Sequence, residues 1–188
     1  MKKRNFIALG IGNVIGSLAS SKLLALPANA LTAPKIKFAY DLREFGWSNF
    51  TLIVENKFID VGPFSYATNA LDDLIMTGIL AVPLTPTLRA SFDRESVERH
   101  MILNVLWKPL ATLRLLSFSD IKANLPDECG RVEFEARINL DDYARAIQNV
   151  AHEIWNKYGE QGYFDILGGY RGFPKREMAT LDAALSAK

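Results

Sequence analysis

Cysteine and histidine are almost missing from this chain. Its 188 residues contain one cysteine, Cys129, and two histidines, His100 and His152. One cysteine excludes an intrachain disulfide. Three residues of these types fall short of the four Cys or His ligands of a structural zinc site. Charge of one sign is also missing: 22 basic residues face 21 acidic ones, a net charge of +1. No broad basic field invites nucleic acid. G-x-S-x-G, H-E-x-x-H and C-x-x-C do not occur. The run GIGNVIG, 10–16, copies part of a dinucleotide pattern but has no strand–helix–strand unit around it, so no cofactor is implied. What is present is globular composition, with 49% hydrophobic, 23% charged and 11% aromatic residues. That is enough for one well-buried core and too little for two.

The first thirty residues read as an address. Lys2, Lys3 and Arg4 precede a mostly apolar run from Phe6 to Leu26, and Ala28-Asn29-Ala30 supplies small residues where a signal peptidase reads. Pro27 keeps that site extended. Residues 1–30 are therefore expected to be a signal peptide and 31–188 a single exported, periplasmic or secreted domain. KRNFI resembles a weakened twin-arginine signal, and the general secretory route is equally open. Left uncleaved, residues 6–26 would be a membrane anchor; with a misplaced start the protein would be cytoplasmic. Losing Lys2, Lys3, Arg4 and Lys22 takes the 22 basic residues to 18 against 21 acidic, a net charge of −3. Such a domain suits neither nucleic acid nor anionic lipid.

Beyond the leader, periodicity gives an element order. Ile36, Phe38 and Tyr40 alternate as a short strand. Phe50, Leu52 and Val54 share one face, Glu55-Asn56-Lys57 offers a turn, and the chain returns through Ile59 and Val61 as a hairpin. Leu71, Leu74, Ile75, Ile79 and Val82 switch to helical spacing, with Asp72 and Asp73 in the first turn and Pro83 beyond the end. Strands are predicted at Leu88–Phe92, His100–Trp107, Thr112–Phe118 and from Arg131 to Ile138, with Trp107 and Val132 facing in. Asn139 caps a long helix carrying Tyr143, Ile147, Val150 and Ile154, which Gly159 is expected to end. A last helix starts at Pro174 with Met178, Leu181 and Leu185 on one face. The expected fold is α+β: a single curved antiparallel sheet of about five to six strands, two main helices on one face and a short C-terminal helix.

Few side chains in this order point to catalysis, and no catalytic residue is assigned. His100 lies on a strand, His152 on the outer side of the long helix and Cys129 in a turn. The pairs Asp72/Asp73 and Asp141/Asp142 have a helix-capping role. Glu133 and Glu135 alternate with Arg131 and Arg137 as a solvated charge ladder.

The best lead is WNKYGEQGYFDILGGYRGFPKRE, 155–177. Trp155 and Tyr158 belong with the long helix's apolar stripe. Tyr163, Phe164, Tyr170, Arg171 and Phe173 remain, either as a lid closing the core or as a partner surface. Tyr and Arg are enriched at binding hot spots. Tyr40, Trp47 and Tyr66 extend that surface if the fold brings them close.

GWSNFTLIVENKFIDVGPFSYATNALDDLI and INLDDYARAIQNVAHEIWNKYGEQGY resemble segments of short bacterial α+β proteins without an assigned activity. Some proteins of that size and make-up act as immunity proteins beside toxins. The resemblance spans roughly Phe45 to Tyr163, implies the same element order and carries no catalytic residue. The expected function is a non-enzymatic protein-binding module, immunity-like, with an unidentified protein partner and no membrane contact once the leader is removed. Two other classes stay open: a small-ligand or lipid-binding protein, and a hydrolase in which His100, Cys129 or two carboxylates converge.

Overall fold

Short turns and period-two alternation dictate the first layer. In this computed structural model, residues 33–187 are described apart from Leu84, Ser96 and 120–124. The expected signal peptide lies outside the described residues. β1 (Ile36–Arg43), β2 (Trp47–Val54) and β3 (Lys57–Ser65) form an antiparallel sheet in the order β1-β2-β3. Val54 pairs with Lys57 across the Glu55-Asn56 loop. Ser48, Phe50, Leu52 and Val54 on β2 are all buried.

The chain then crosses through α1 (Ala70–Ala81) to a second antiparallel sheet. Its strands are β4 (Thr87–Asp93), β5 (Glu98–Trp107), β6 (Leu110–Phe118) and β7 (Arg131–Asn139), in sequential order. α2 (Leu140–Ile166) and α3 (Lys175–Ser186) complete the fold. It is α+β with three helices. The expected single sheet of five to six strands is corrected to two, of three and four strands.

The break between the sheets has a local cause. Pro63 has no N–H to offer a further strand. The Gly62 N–H is taken by Asp60 Oδ1 at 2.8 Å, with Gly62 at φ +81°. The ladder shifts register between Phe50 and Thr51. β3 therefore meets β4 through side chains. Thr68 Oγ1 accepts from Asp93 N at 3.4 Å, and Arg99 on β5 donates to Asp60 O at 2.8 Å.

Both sheets feed one core. Phe50 stacks on Phe38 at 5.2 Å and on Phe92 at 5.3 Å, and Phe64 meets Phe92 edge-on at 5.2 Å, so aromatic rings join β1–β3 to β4. Leu74 and Ile75 of α1, Ile147 and Val150 of α2, and Leu181 of α3 cover the core. Asn139 Oδ1 accepts from the Asp141 and Asp142 N–H groups at 2.8 and 3.3 Å, the predicted cap. Inside, Tyr143 donates to Thr77 Oγ1 at 2.6 Å, because the Thr77 hydroxyl proton is already given to Leu74 O at 2.7 Å. Burial pushes the Tyr143 hydroxyl well above its ordinary pKa, partly offset by Thr77.

Three local expectations change. Gly159 leaves helical geometry at φ 65°, ψ −171°, yet the helix resumes through Ile166, so it kinks α2 rather than ending it. Trp107 is exposed, since the β5–β6 register shifts between Val105 and Trp107. Val132 is also exposed, on the edge strand β7 beside the register shift at Leu115/Leu116.

Candidate functional site

The end of the three-stranded sheet nearest the β1–β2 turn gathers exposed aromatic residues. Between β1 and β2 the chain makes a single 3₁₀ turn, Glu44–Gly46. Phe45 sits there in the left-handed region, φ 62° and ψ 31°, and is 86% exposed. A bulky residue pays about 1 kcal/mol or more for that conformation. Exposed as it is, Phe45 recovers little of this by burial. Gly46 follows at φ +79°; a Cβ there would lie 2.6 Å from Tyr66 Cδ1, so the turn is seated directly on the Tyr66 ring.

Tyr66 in turn stacks on Tyr170, with centroids 4.1 Å apart and planes 4° from parallel. The neighbouring Tyr170 hydroxyl, the largest cause, raises the Tyr66 hydroxyl above its ordinary pKa. Tyr170 is 63% exposed and presses on Gly168, while Phe164 contacts Gly169. Gly168 and Gly169, at φ +69° and +78°, let the chain turn back after α2. Two grooves flank Phe45. One of about 700 Å³ runs along Leu42, Arg43, Trp47 and Pro63. The other, of about 390 Å³, runs along Asp165, Ile166 and Gly168. Charged Arg43, Glu44 and Asp165 edge an apolar floor.

The predicted residues divide between this surface and the interior. Phe164 and Tyr170 are exposed. Tyr163 and Phe173 are buried and pack edge to face at 5.4 Å, with Trp155 against Phe173 at 5.1 Å and Lys175 over Trp155 at 5.0 Å. Those two act as the lid. Half-buried Arg171 faces the first turn of α1. There, burial and then Glu177 raise the Asp72 carboxyl above its usual range, and Arg171 opposes them. Of the residues expected to extend the patch, Tyr66 joins it and Trp47 lines its larger groove. Tyr40 turns inward against Phe64 at 5.6 Å. Phe45 was not predicted. No periodicity marks a residue in a three-residue turn; the only signal was the Phe-Gly pair itself.

The sparse chemical residues are placed elsewhere. His100 is buried, its Nε2 2.9 Å from Glu98 Oε1 and its Nδ1 3.7 Å from Asp127 Oδ1, under the Phe118 ring at 4.5 Å. Asp127 also pairs with Arg89. His152 pairs with Asp182 of α3 at 2.9 Å, and Gln148 donates to the same carboxylate at 2.8 Å. Cys129 is exposed. Among the described residues no three His, Cys, Asp or Glu gather as a metal site, and no helix is long and apolar enough to cross a membrane.

Comparison of the chain with known families, curated proteins and solved structures finds no match in any of the three.

Proposed function

We propose that this protein is a non-enzymatic protein-binding module, exported and immunity-like, that engages its partner through Phe45, Tyr66, Phe164 and Tyr170. The observation that carries this reading is Phe45. An 86% exposed phenylalanine held at positive φ adds nothing to the core, and the fold bears its strain. Strain of this kind persists where the surrounding structure fixes it, and it clusters at binding sites. The surface has the anatomy of a partner interface: rigid aromatic anchors at its centre, grooves beside them and charges at the rim. Tyr66 and Tyr170 brace each other, so little side-chain entropy is left to lose on binding.

The test is quantitative capture of a partner by the exported protein and by Phe45→Ala and Tyr170→Ala variants. Each substitution is expected to weaken binding by about tenfold or more, roughly 1.4 kcal/mol, with the melting temperature unchanged. Wild-type affinity in both folded variants would exclude this surface.

A further inference from the structure

A second concave site shares no lining residue with the grooves beside Phe45 and lies where β5, β6 and β7 run out beside the β4–β5 turn. Its volume is about 430 Å³. Three arginines, Arg94, Arg99 and Arg131, line it against one carboxylate, Glu133. Arg99 and Arg131 both pair with Ser117, one from each side, so the register sets two guanidinium side chains in one row across three strands. Like charges in such a row repel unless something between them is negative.

Glu133 answers only part of that charge. Its Oε2 pairs with Arg99 at 2.9 Å and its Oε1 with Arg131 at 2.9 Å. Arg99 is further fixed by its bond to Asp60 O, which ties β5 to β3. The Arg94 guanidinium makes no ion pair or hydrogen bond among the described residues. It lies flat on Gly62: a Cβ there would be 2.5 Å from Arg94 Cζ. The glycine thus leaves room for the Arg94 guanidinium beside the cavity that Arg94 lines. Among the described residues that line it, one carboxylate stands against three guanidinium groups, an excess of two positive charges. Residues 31–188 as a whole carry an excess of acid, so this is a local reversal rather than a general basic field. Ser117 and Ser119 add hydroxyl donors to the wall.

We propose that this cavity is an oxyanion site for a soluble phosphate monoester, with Arg94 and Arg131 gripping the phosphate oxygens and Arg99 as a fixed charge behind them. Guanidinium forks match phosphate oxygens two at a time, and the concave wall focuses their field. Phosphate on a lipid headgroup presents the same oxygens, and the acidic body of the protein disfavours approach to such a surface.

Cys129 lines the same cavity, is exposed and is the chain's sole cysteine, so it reports occupancy. The full chain is alkylated with neutral iodoacetamide at constant ionic strength. Inorganic phosphate and glycerol phosphate are expected to slow alkylation saturably; acetate and phosphatidylglycerol vesicles are not. Arg94→Ala with Arg131→Ala should raise the half-protecting concentration by about tenfold or more. Arg131→Ala alone, at a largely exposed side chain whose loss the fold tolerates, should raise it by a smaller factor, and Arg176→Ala on α3 should leave it unchanged. No protection, equal protection by acetate, protection by vesicles alone, or undiminished protection in the folded arginine variants would overturn the assignment.

Discussion

Two aromatic clusters lie at opposite extremes of solvent exposure in this protein. Phe38, Phe50, Phe92 and Phe64 follow one another across the junction of two sheets, stacked at 5.2 and 5.3 Å and then edge-on at 5.2 Å, and are almost wholly buried. Phe45, Tyr66 and Tyr170 stand in water, held by glycine turns. The first cluster replaces the backbone ladder that β3 and β4 do not form. The second does little for the fold and is held rigid nonetheless. The difference teaches that aromatic content alone says nothing of role; the backbone conformation beneath each ring decides whether it faces in or out.

That contrast is open to mutation, and the largest effect belongs to the interior. Phe50→Ala is expected to destabilise by about 3–5 kcal/mol, a large part of a domain's stability, measured by urea unfolding. A loss under about 1 kcal/mol would show that the sheets are joined by something else. Gly46→Ala comes next, at about 1–3 kcal/mol. Its φ of +79° opposes any Cβ, and the added methyl drives Tyr66 off Tyr170. It should also blunt the aromatic surface, seen as a shift in Tyr66 and Tyr170 resonances. Tyr143→Phe removes the one proton shared with Thr77 and should cost about 1 kcal/mol in the same unfolding assay.

A smaller effect depends on pH. The Asp182 carboxyl is pushed up by partial burial, but the hydrogen bonds from Gln148 and His152 outweigh this and hold it below its ordinary 3.8. A lowered folded pKa adds stability that is present above pH 3.8 and lost as pH falls through the folded value. The α2–α3 contact should therefore loosen in acid. Solvent screening keeps the effect under about 1 kcal/mol. Acid titration of wild type against Asp182→Asn should show the difference above pH 3.8 and its disappearance below. The least loss of stability is expected at Phe45 itself. Phe45→Gly relieves the left-handed strain and buries nothing less, so stability should hold or rise by up to about 1 kcal/mol while partner affinity falls.

Much of this architecture was legible because it is local. The Asn139 cap and the Met178–Leu181–Leu185 face depend on neighbours a few residues away and stand as read, and the turn expected at Glu55-Asn56-Lys57 forms with Lys57 already in the strand. The break into two sheets was not read, although Gly62-Pro63 carries it. A Gly-Pro pair blocks one strand edge, but whether another strand needs that edge depends on where α1 delivers β4. Alternation puts Trp107 and Val132 inside, and the register shifts that turn them out are not displayed in the sequence. At the candidate site, composition alone marks Tyr170 and Phe164, whereas Tyr66 joins them only through the fold. Tyr163 and Phe173 share that composition but face the core, because the kink at Gly159 and the turn at Gly168-Gly169 set which rings point inward.

The most direct test places a photocrosslinker, benzoylphenylalanine, in place of Phe45 in the full chain, and in place of Phe58 in a matched control. Phe58 is 75% exposed at the opposite end of the same sheet, opposite Ile53. A discrete crosslinked protein adduct from position 45 and none from position 58 is the expected result. No adduct from position 45, or the same adduct from both, would contradict the assignment of the Phe45 end as the partner surface.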